Sequence, residues 1–223
     1  MFCGSRQVEI EMSNPWLAVP LSEYERHMSS ARIGQLRVLS DLFAEVVRGC
    51  RPESIAILGI AGGNGLDHID RSHTNRVVGI DLNPSYLEAV RRRYSSLPGL
   101  DLLCADLSEQ VVNLKPVQLV HAALIFEHAG MGRCLENAIS MAAPGGSLSV
   151  VLQLPANRAE QEIASRFSSI RELKYHFALV SPTRFRQALE ERGFQMIEQT
   201  TRAVPGGKGF WMGIFSAPIS SPV

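Results

Sequence analysis

Little in this chain is in excess, and what it lacks narrows its function before any motif is considered. It has no surplus of either charge, since 22 lysines and arginines balance 22 aspartates and glutamates. Non-specific grip on nucleic acid runs on a basic excess, so no nucleic-acid partner is expected. Only four cysteines occur, Cys3, Cys50, Cys104 and Cys134, with no CxxC pair and no His-x-x-x-His nearby. That pattern excludes a disulfide framework or structural zinc site and fits a reducing, cytoplasmic setting. Long hydrophobic runs are missing too. The longest, Val117 to Phe126, is interrupted by His121 and falls far short of a membrane span. The opening MFCGSRQVEIEMSNPW mixes charges early and has no apolar centre, so no signal peptide is read there. What remains is globular material, 45% hydrophobic and 20% charged over 223 residues, enough for one full-sized core.

Along the chain the first dozen residues read as a loose arm. Pro20 and Ser22 then start a short helix carrying Tyr24, His27 and Met28. Ser30 is a candidate N-cap for a helix from Ala31 to about Cys50, in which Ile33, Leu36, Leu39, Phe43 and Val46 recur at helical spacing. From there strands and helices alternate. Ser54–Ile60 and Arg76–Leu82 are apolar runs suited to strands buried on both faces. Leu100–Leu107, Val117–Phe126 and Ser147–Leu154 follow, with helices expected after Leu82 and over Met131–Ala143. This rhythm predicts a parallel sheet with helices on both faces. Asn157–Leu179 reads as an amphipathic helical stretch broken near Arg171, and Pro182 opens another helix ending before Gly193. FQMIEQTT and GFWMGIFSA are joined by so short a link, RAVPGGK, that they must pair antiparallel.

The strongest local signal is ILGIAGGNGL, Ile57 to Leu66. A buried strand enters a glycine-rich turn, and Leu66 onward is suited to open a helix whose first amides would face a negatively polarised group. Asp81 closes the second strand sixteen residues after Gly65, where an acid can accept from both hydroxyls of a ribose. Asn83 or Ser85 can cap the next helix, which leaves Asp81 for a ligand. Asp106 closes the third strand and can accept from an adenine amino group. A dinucleotide-binding dehydrogenase would need a third glycine opening the helix, G-x-G-x-x-G, but His68 stands there.

ILGIAGGNGL, VVGIDL, CADL, VHAALIFEH and APGG, in this order and spacing, resemble the landmarks of class I S-adenosylmethionine (SAM)-dependent methyltransferases, most closely the small type 11 branch. The similarity covers Ser54 to Leu154, extended to about Ser216 by the antiparallel finish. The resemblance implies a Rossmann-like α/β fold with a seven-stranded, mostly parallel sheet, order 3-2-1-4-5-7-6 and strand 7 antiparallel. Residues 31–223 would form that domain, and residues 1–30 an arm and lid helix. It also implies SAM as cofactor, with Gly59, Ala61, Gly63 and Gly65 at the methionine part, Asp81 and Leu82 at the ribose, and Asp106 and Leu107 at the adenine. His121 and Ala122, with Ala123, would floor the pocket, and Tyr24 and His27 would fold over it.

Two departures stand out. The family carries an acid where this chain has Gly59, and its first loop glycine aligns with Ala61, whose methyl is tolerable at a negative φ. For catalysis, IFEH resembles the segment facing the acceptor, which makes His128 and Glu127 candidate bases. His128 reads equally as a helix-start residue bonded to backbone, and Glu127 as a cap. Tyr175 and His176 fall in a region that shapes the acceptor pocket in related proteins. Arg91-Arg92-Arg93 reads as a solvated helix face, and His68 and His73 around Asp70 do not make a metal site. With no room for a target-recognition domain and no Asn-Pro-Pro-Tyr segment, a small-molecule acceptor is expected. The alternatives are a non-catalytic SAM-binding protein and, further off, an NAD(P)-dependent dehydrogenase.

Overall fold

The computed structural model of the chain describes residues 14–31, 33–155, 165–204 and 207–219. The expected arm, most of the first half of the Asn157–Leu179 helix and part of the RAVPGGK link lie outside the described residues.

Seven strands form one sheet: β1 Ser54–Leu58, β2 Arg76–Asp81, β3 Leu100–Cys104, β4 Val117–Ala123, β5 Ala142–Leu154, β6 Gln195–Ala203 and β7 Gly209–Ser216. Their order is β3-β2-β1-β4-β5-β7-β6, parallel from β3 to β5, with β7 antiparallel to both β5 and β6. The expected topology is therefore the observed one. It differs from the 3-2-1-4-5-6 order of the dinucleotide-binding fold.

Because successive side chains in a strand point to opposite faces, each central strand feeds two cores. Ala56 and Leu58 join Ile80, Val120 and Val150 on one face, covered by Phe126, Leu135 and Phe185. Ile55 and Ile57 join Val77, Leu119 and Met212 on the other, covered by Leu42, Phe43 and Val46. The helices that supply these covers are α1 Leu21–Ser29, α2 Gln35–Cys50, α3 Pro84–Arg93, α4 Phe126–Ala129, α5 Arg133–Met141, α6 Ser168–Glu172 and α7 Pro182–Glu190.

Four expectations need correction. α2 begins at Gln35 rather than Ala31, because Gly34 takes a left-handed φ of 60° that interrupts the turn before it. No helix follows the glycine turn: Leu66–His68 is a single 3-10 turn. Asp67 to Asn75 offers one buried apolar residue, Ile69, and Asp70 spends its carboxylate on the Ser72 amide and hydroxyl, so a buried helical face cannot form. The strands also end earlier than read, β3 at Cys104 and β4 at Ala123, where Leu124 turns left-handed (φ 55°). Asp106 thus lies in a loop beyond its strand. α6 runs through Arg171 without a break and tightens into a 3-10 turn at Leu173–His176.

Candidate functional site

The tips of β1, β2 and β4 and the loop after β3 open on one cleft, about 1210 Å³ counted to its open mouth. Gly59, Ala61, Asp81, Leu82, Asp106, Leu107, Tyr24, His27 and His128 all line it. Gly63, Gly65, His121, Ala122 and Glu127 are not among its lining residues. A side chain at Gly63 would meet Tyr94 and Leu66, and one at Gly65 would meet Phe43, so both glycines turn towards packed protein. His121 is buried against Phe43 (ring centroids 4.8 Å apart) with Nδ1 3.2 Å from the Ser149 hydroxyl. Burial lowers its pKa to about 4. The end of β4 instead reaches the cleft through Ala123, Leu124 and Ile125.

The glycine turn is held by Asp81. Its Oδ2 accepts from the Ala61 amide and its Oδ1 from the Asn83 amide, both at 2.9 Å. Burial raises the Asp81 pKa, and these amide bonds oppose the rise. Asn83 is the true helix cap, its side chain accepting from Ser85. Each Asp81 oxygen keeps a second lone pair for a ligand. The condition of a negative φ is not met: Ala61 sits at φ 47°, a left-handed conformation unusual for a residue with a Cβ. Gly59 has φ 69°, and a Cβ there would stand 3.0 Å from Ile125 Cδ1. A side chain in the place of the family's acid would therefore be strained by the backbone and would need the Ile125 methyl to give way.

Asp106 is fixed by its own loop. Oδ1 accepts from the Ser108 amide and hydroxyl, and Oδ2 from the Asn14 side chain at 3.0 Å. Partial burial pushes its pKa up, but the Ser108 and Asn14 bonds outweigh that and hold it below the usual value. Buried Asn137 braces the loop, donating to Leu107 and Gln110 and accepting from Val112. Between the two carboxylates the wall is apolar: Leu82, Ala105 and Leu107.

α1 forms the cover. Arg93 at the end of α3 donates to the Gly62 carbonyl and pairs with Glu25 of α1. A Cβ at Gly62 would displace the ends of that pair, so glycine there leaves the clamp its room. The arginine run is thus only partly a solvated face: Arg91 and Arg92 pair with Glu88, whereas Arg93 clamps the cover to the glycine turn. On its other side α1 meets α6, where the Ser169 hydroxyl donates to Glu23 at 2.5 Å. Tyr24 stacks on Tyr86 (6.3 Å, 30°), and burial keeps its phenol protonated. His27 is lowered by burial first and by the charge of Lys208 second.

At the far end His128 is wedged between Trp16 and Phe177, edge to face at 4.8 and 5.2 Å. Burial lowers its pKa to about 4, with the His176 backbone pulling weakly upward. Its Nδ1 is buried without a partner. Glu127 lies outside the cleft. Its Oε1 accepts from the Gln153 amide at 2.6 Å, its Oε2 is buried and unpartnered, and burial raises its pKa to about 7. Its carbonyl accepts from the Ala178 amide at 2.8 Å.

Tyr175 and His176 are exposed, and Tyr175 is 73% accessible. Ile170, Leu173 and Phe177 line the cleft in their place. Their spacing, i, i+3 and i+7, is the signal that the sequence carries for them. Trp16, Asn14 and Lys208 also line the cleft, and nothing in their local sequence marks them.

The strand order and directions are those of the class I methyltransferase fold. Residues 55–146 match the family model described as "Methyltransferase domain". No curated protein matches the sequence. Among solved structures, the N-methyltransferase NodS from Bradyrhizobium japonicum WM9, in complex with S-adenosyl-L-homocysteine (SAH), is similar with a TM-score of 0.59 at 18% identity. It covers 92% of this chain and 93% of its own. Magnesium protoporphyrin IX methyltransferase (ChlM) from Synechocystis PCC 6803 with bound SAM gives 0.67 at 9% identity, covering 91% and 93%. The [4+2]-cyclase SpnF gives 0.63 at 13% identity, covering 84% and 82%. At such identities the likeness is one of fold.

Proposed function

We propose that the chain is a SAM-dependent methyltransferase acting on a small-molecule acceptor. The observation that carries the reading is one cleft lined at one end by the glycine turn and along its length by Asp81 and Asp106, with an apolar wall between the carboxylates. Those residues suit an adenosine: spare lone pairs on Asp81 for ribose hydroxyls, Asp106 for the exocyclic amine, and Leu82, Ala105 and Leu107 for the flat ring. SAM, when bound, supplies an electrophilic methyl group on a sulfonium. The chain's own residues do the rest. Tyr24, His27 and the rest of α1 cover the cleft and exclude water, and positioning of the two reactants contributes much of the rate. His128, neutral at physiological pH, takes the proton of an acceptor that must lose one. Glu127, off the cleft, acts by fixing the end of β5 beside it.

Thermal unfolding with SAM, SAH, NAD and NADP tests the donor. SAM or SAH at a hundredfold excess over its dissociation constant adds about 2.7 kcal/mol, a rise of roughly 5–10 °C for a chain of this size. A response to NAD or NADP alone would end the reading. A second reading, a SAM-binding protein without methyl transfer, draws support from Gly59, where no acid meets the donor's amino group. That SpnF is a [4+2]-cyclase shows that this fold hosts other outcomes. Transfer of labelled methyl to any acceptor separates the two.

A further inference from the structure

The far end of the cleft has a distinct chemistry. His128 is flanked by the rings of Trp16 and Phe177, and Trp16 in turn meets Tyr24 edge-on at 5.8 Å. Ile170 and Leu173, buried together with Val19, close the floor and pack against Trp16 and Tyr24. The result is a slot walled by ring faces and edges and floored by aliphatic carbon. Among the described residues, the buried side-chain nitrogen without a partner that belongs to this wall is Nδ1 of His128.

Charge is distributed elsewhere. Among the described lining residues the carboxylates are Asp81 and Asp106, each already accepting from protein donors away from the slot. Lys208 also lines the cleft, and its charge falls on His27 of the cover helix. An anionic ligand in the slot would lose its hydration among rings and aliphatic side chains. A cationic one would do the same and would also face the positive sulfonium without an intervening carboxylate. A flat, uncharged ligand keeps the ring contacts, and a single O–H or N–H at its edge satisfies the orphaned nitrogen.

From this we infer that the methyl acceptor is an uncharged, planar aromatic molecule, seated between Trp16, Phe177, Ile170 and Leu173 with a hydroxyl or N–H directed to His128. The inference rests on the methyl-transfer reading for the word acceptor, while the slot's preference stands independently of it. With a hydroxyl acceptor the atoms balance simply. The oxygen takes the methyl group, the electron pair of the broken carbon–sulfur bond returns to sulfur, and the hydroxyl proton passes to His128.

Three matched probes test it: 2-naphthol, 2-naphthoate and 2-naphthylmethylammonium, titrated by calorimetry into the full chain with and without SAH. SAH binding itself is measured first. Naphthol is expected to bind at least about tenfold tighter than either charged analogue, and Phe177→Ala to weaken naphthol at least about fivefold while leaving SAH affinity within about twofold. Charged probes binding as tightly as naphthol, or a Phe177→Ala variant that folds and binds naphthol unchanged, would overturn the inference. SAH binding without the naphthol preference removes the acceptor class and leaves the donor reading standing. The preference without SAH binding does the reverse.

Discussion

Asn14 and Asp106, ninety-two residues apart, are joined by a 3.0 Å hydrogen bond from the Asn14 side-chain amide to Oδ2. The donor is a planar NH2 group, the same kind that an adenine ring would present to that oxygen. An adenine amine bound there would share this oxygen with Asn14, and the two NH2 groups would crowd one acceptor. Asn14→Ala is expected to raise SAH affinity about two- to fivefold, the worth of one hydrogen bond no longer exchanged. Asp106→Ala is expected to lower it tenfold or more. Calorimetry of both variants decides; an Asn14→Ala affinity below the wild-type value would show that the arm assists binding.

Restoring the family's acid at position 59 is expected to harm this protein. Gly59→Asp must hold φ near 69° and press a Cβ against Ile125 Cδ1. The left-handed penalty alone is about 1–2 kcal/mol, a fall of roughly 2–8 °C in Tm. With glycine in place, SAM is expected to bind at about 1 μM or more weakly. A stable, tight-binding Gly59→Asp variant would show that the turn is more plastic than its packing indicates.

Ala61→Gly works in the other direction. Relief of the left-handed strain, set against glycine's greater freedom in the unfolded chain, leaves a gain of about 0.5–1 kcal/mol. Calorimetric Tm values for the two proteins test this. A lower Tm for the glycine variant would mean that the alanine methyl contributes packing.

Burial acts on Glu127 and His128 in opposite directions, to about 7 and about 4. Between pH 6.5 and 4.5 the unfolded histidine holds a proton that the folded one lacks, so acid destabilises through His128. Over the same window folded Glu127 holds a proton that the unfolded carboxylate has lost, so acid stabilises through Glu127. The two contributions offset. Glu127→Gln removes one of them, and the variant is expected to lose about 2–3 kcal/mol more than wild type on going from pH 6.5 to 4.5. Urea unfolding at the two values reads this directly; parallel losses would contradict it.

The parallel sheet was legible because its strands are continuous apolar runs, and the antiparallel end because RAVPGGK is too short for a crossover. Asp81 was legible from its place at a strand end, and Asp106 from the apolar run before it, although it lies two residues beyond that strand. What escaped was set by tertiary contact. No local rule gives Arg93, last of three arginines, a partner on α1, and none places Trp16 against His128 from 112 residues away in the chain. The left-handed φ of Ala61 goes with a bond from its amide to Asp81, twenty residues on. The helix expected at Leu66 failed because Asp67 to Asn75 has too few apolar side chains to cover any face. Tyr175 and His176 carry the reactive groups of this stretch, whereas burial brings their apolar neighbours Leu173 and Phe177 to the cleft.

α1 is tied at Glu25 to the glycine turn and at Glu23 to α6. One short rod therefore serves both compartments, and a change along it cannot retune one without disturbing the other. A change confined to the far chamber has an easier route through Phe177, which meets His128 and is neither of the rod's two moorings.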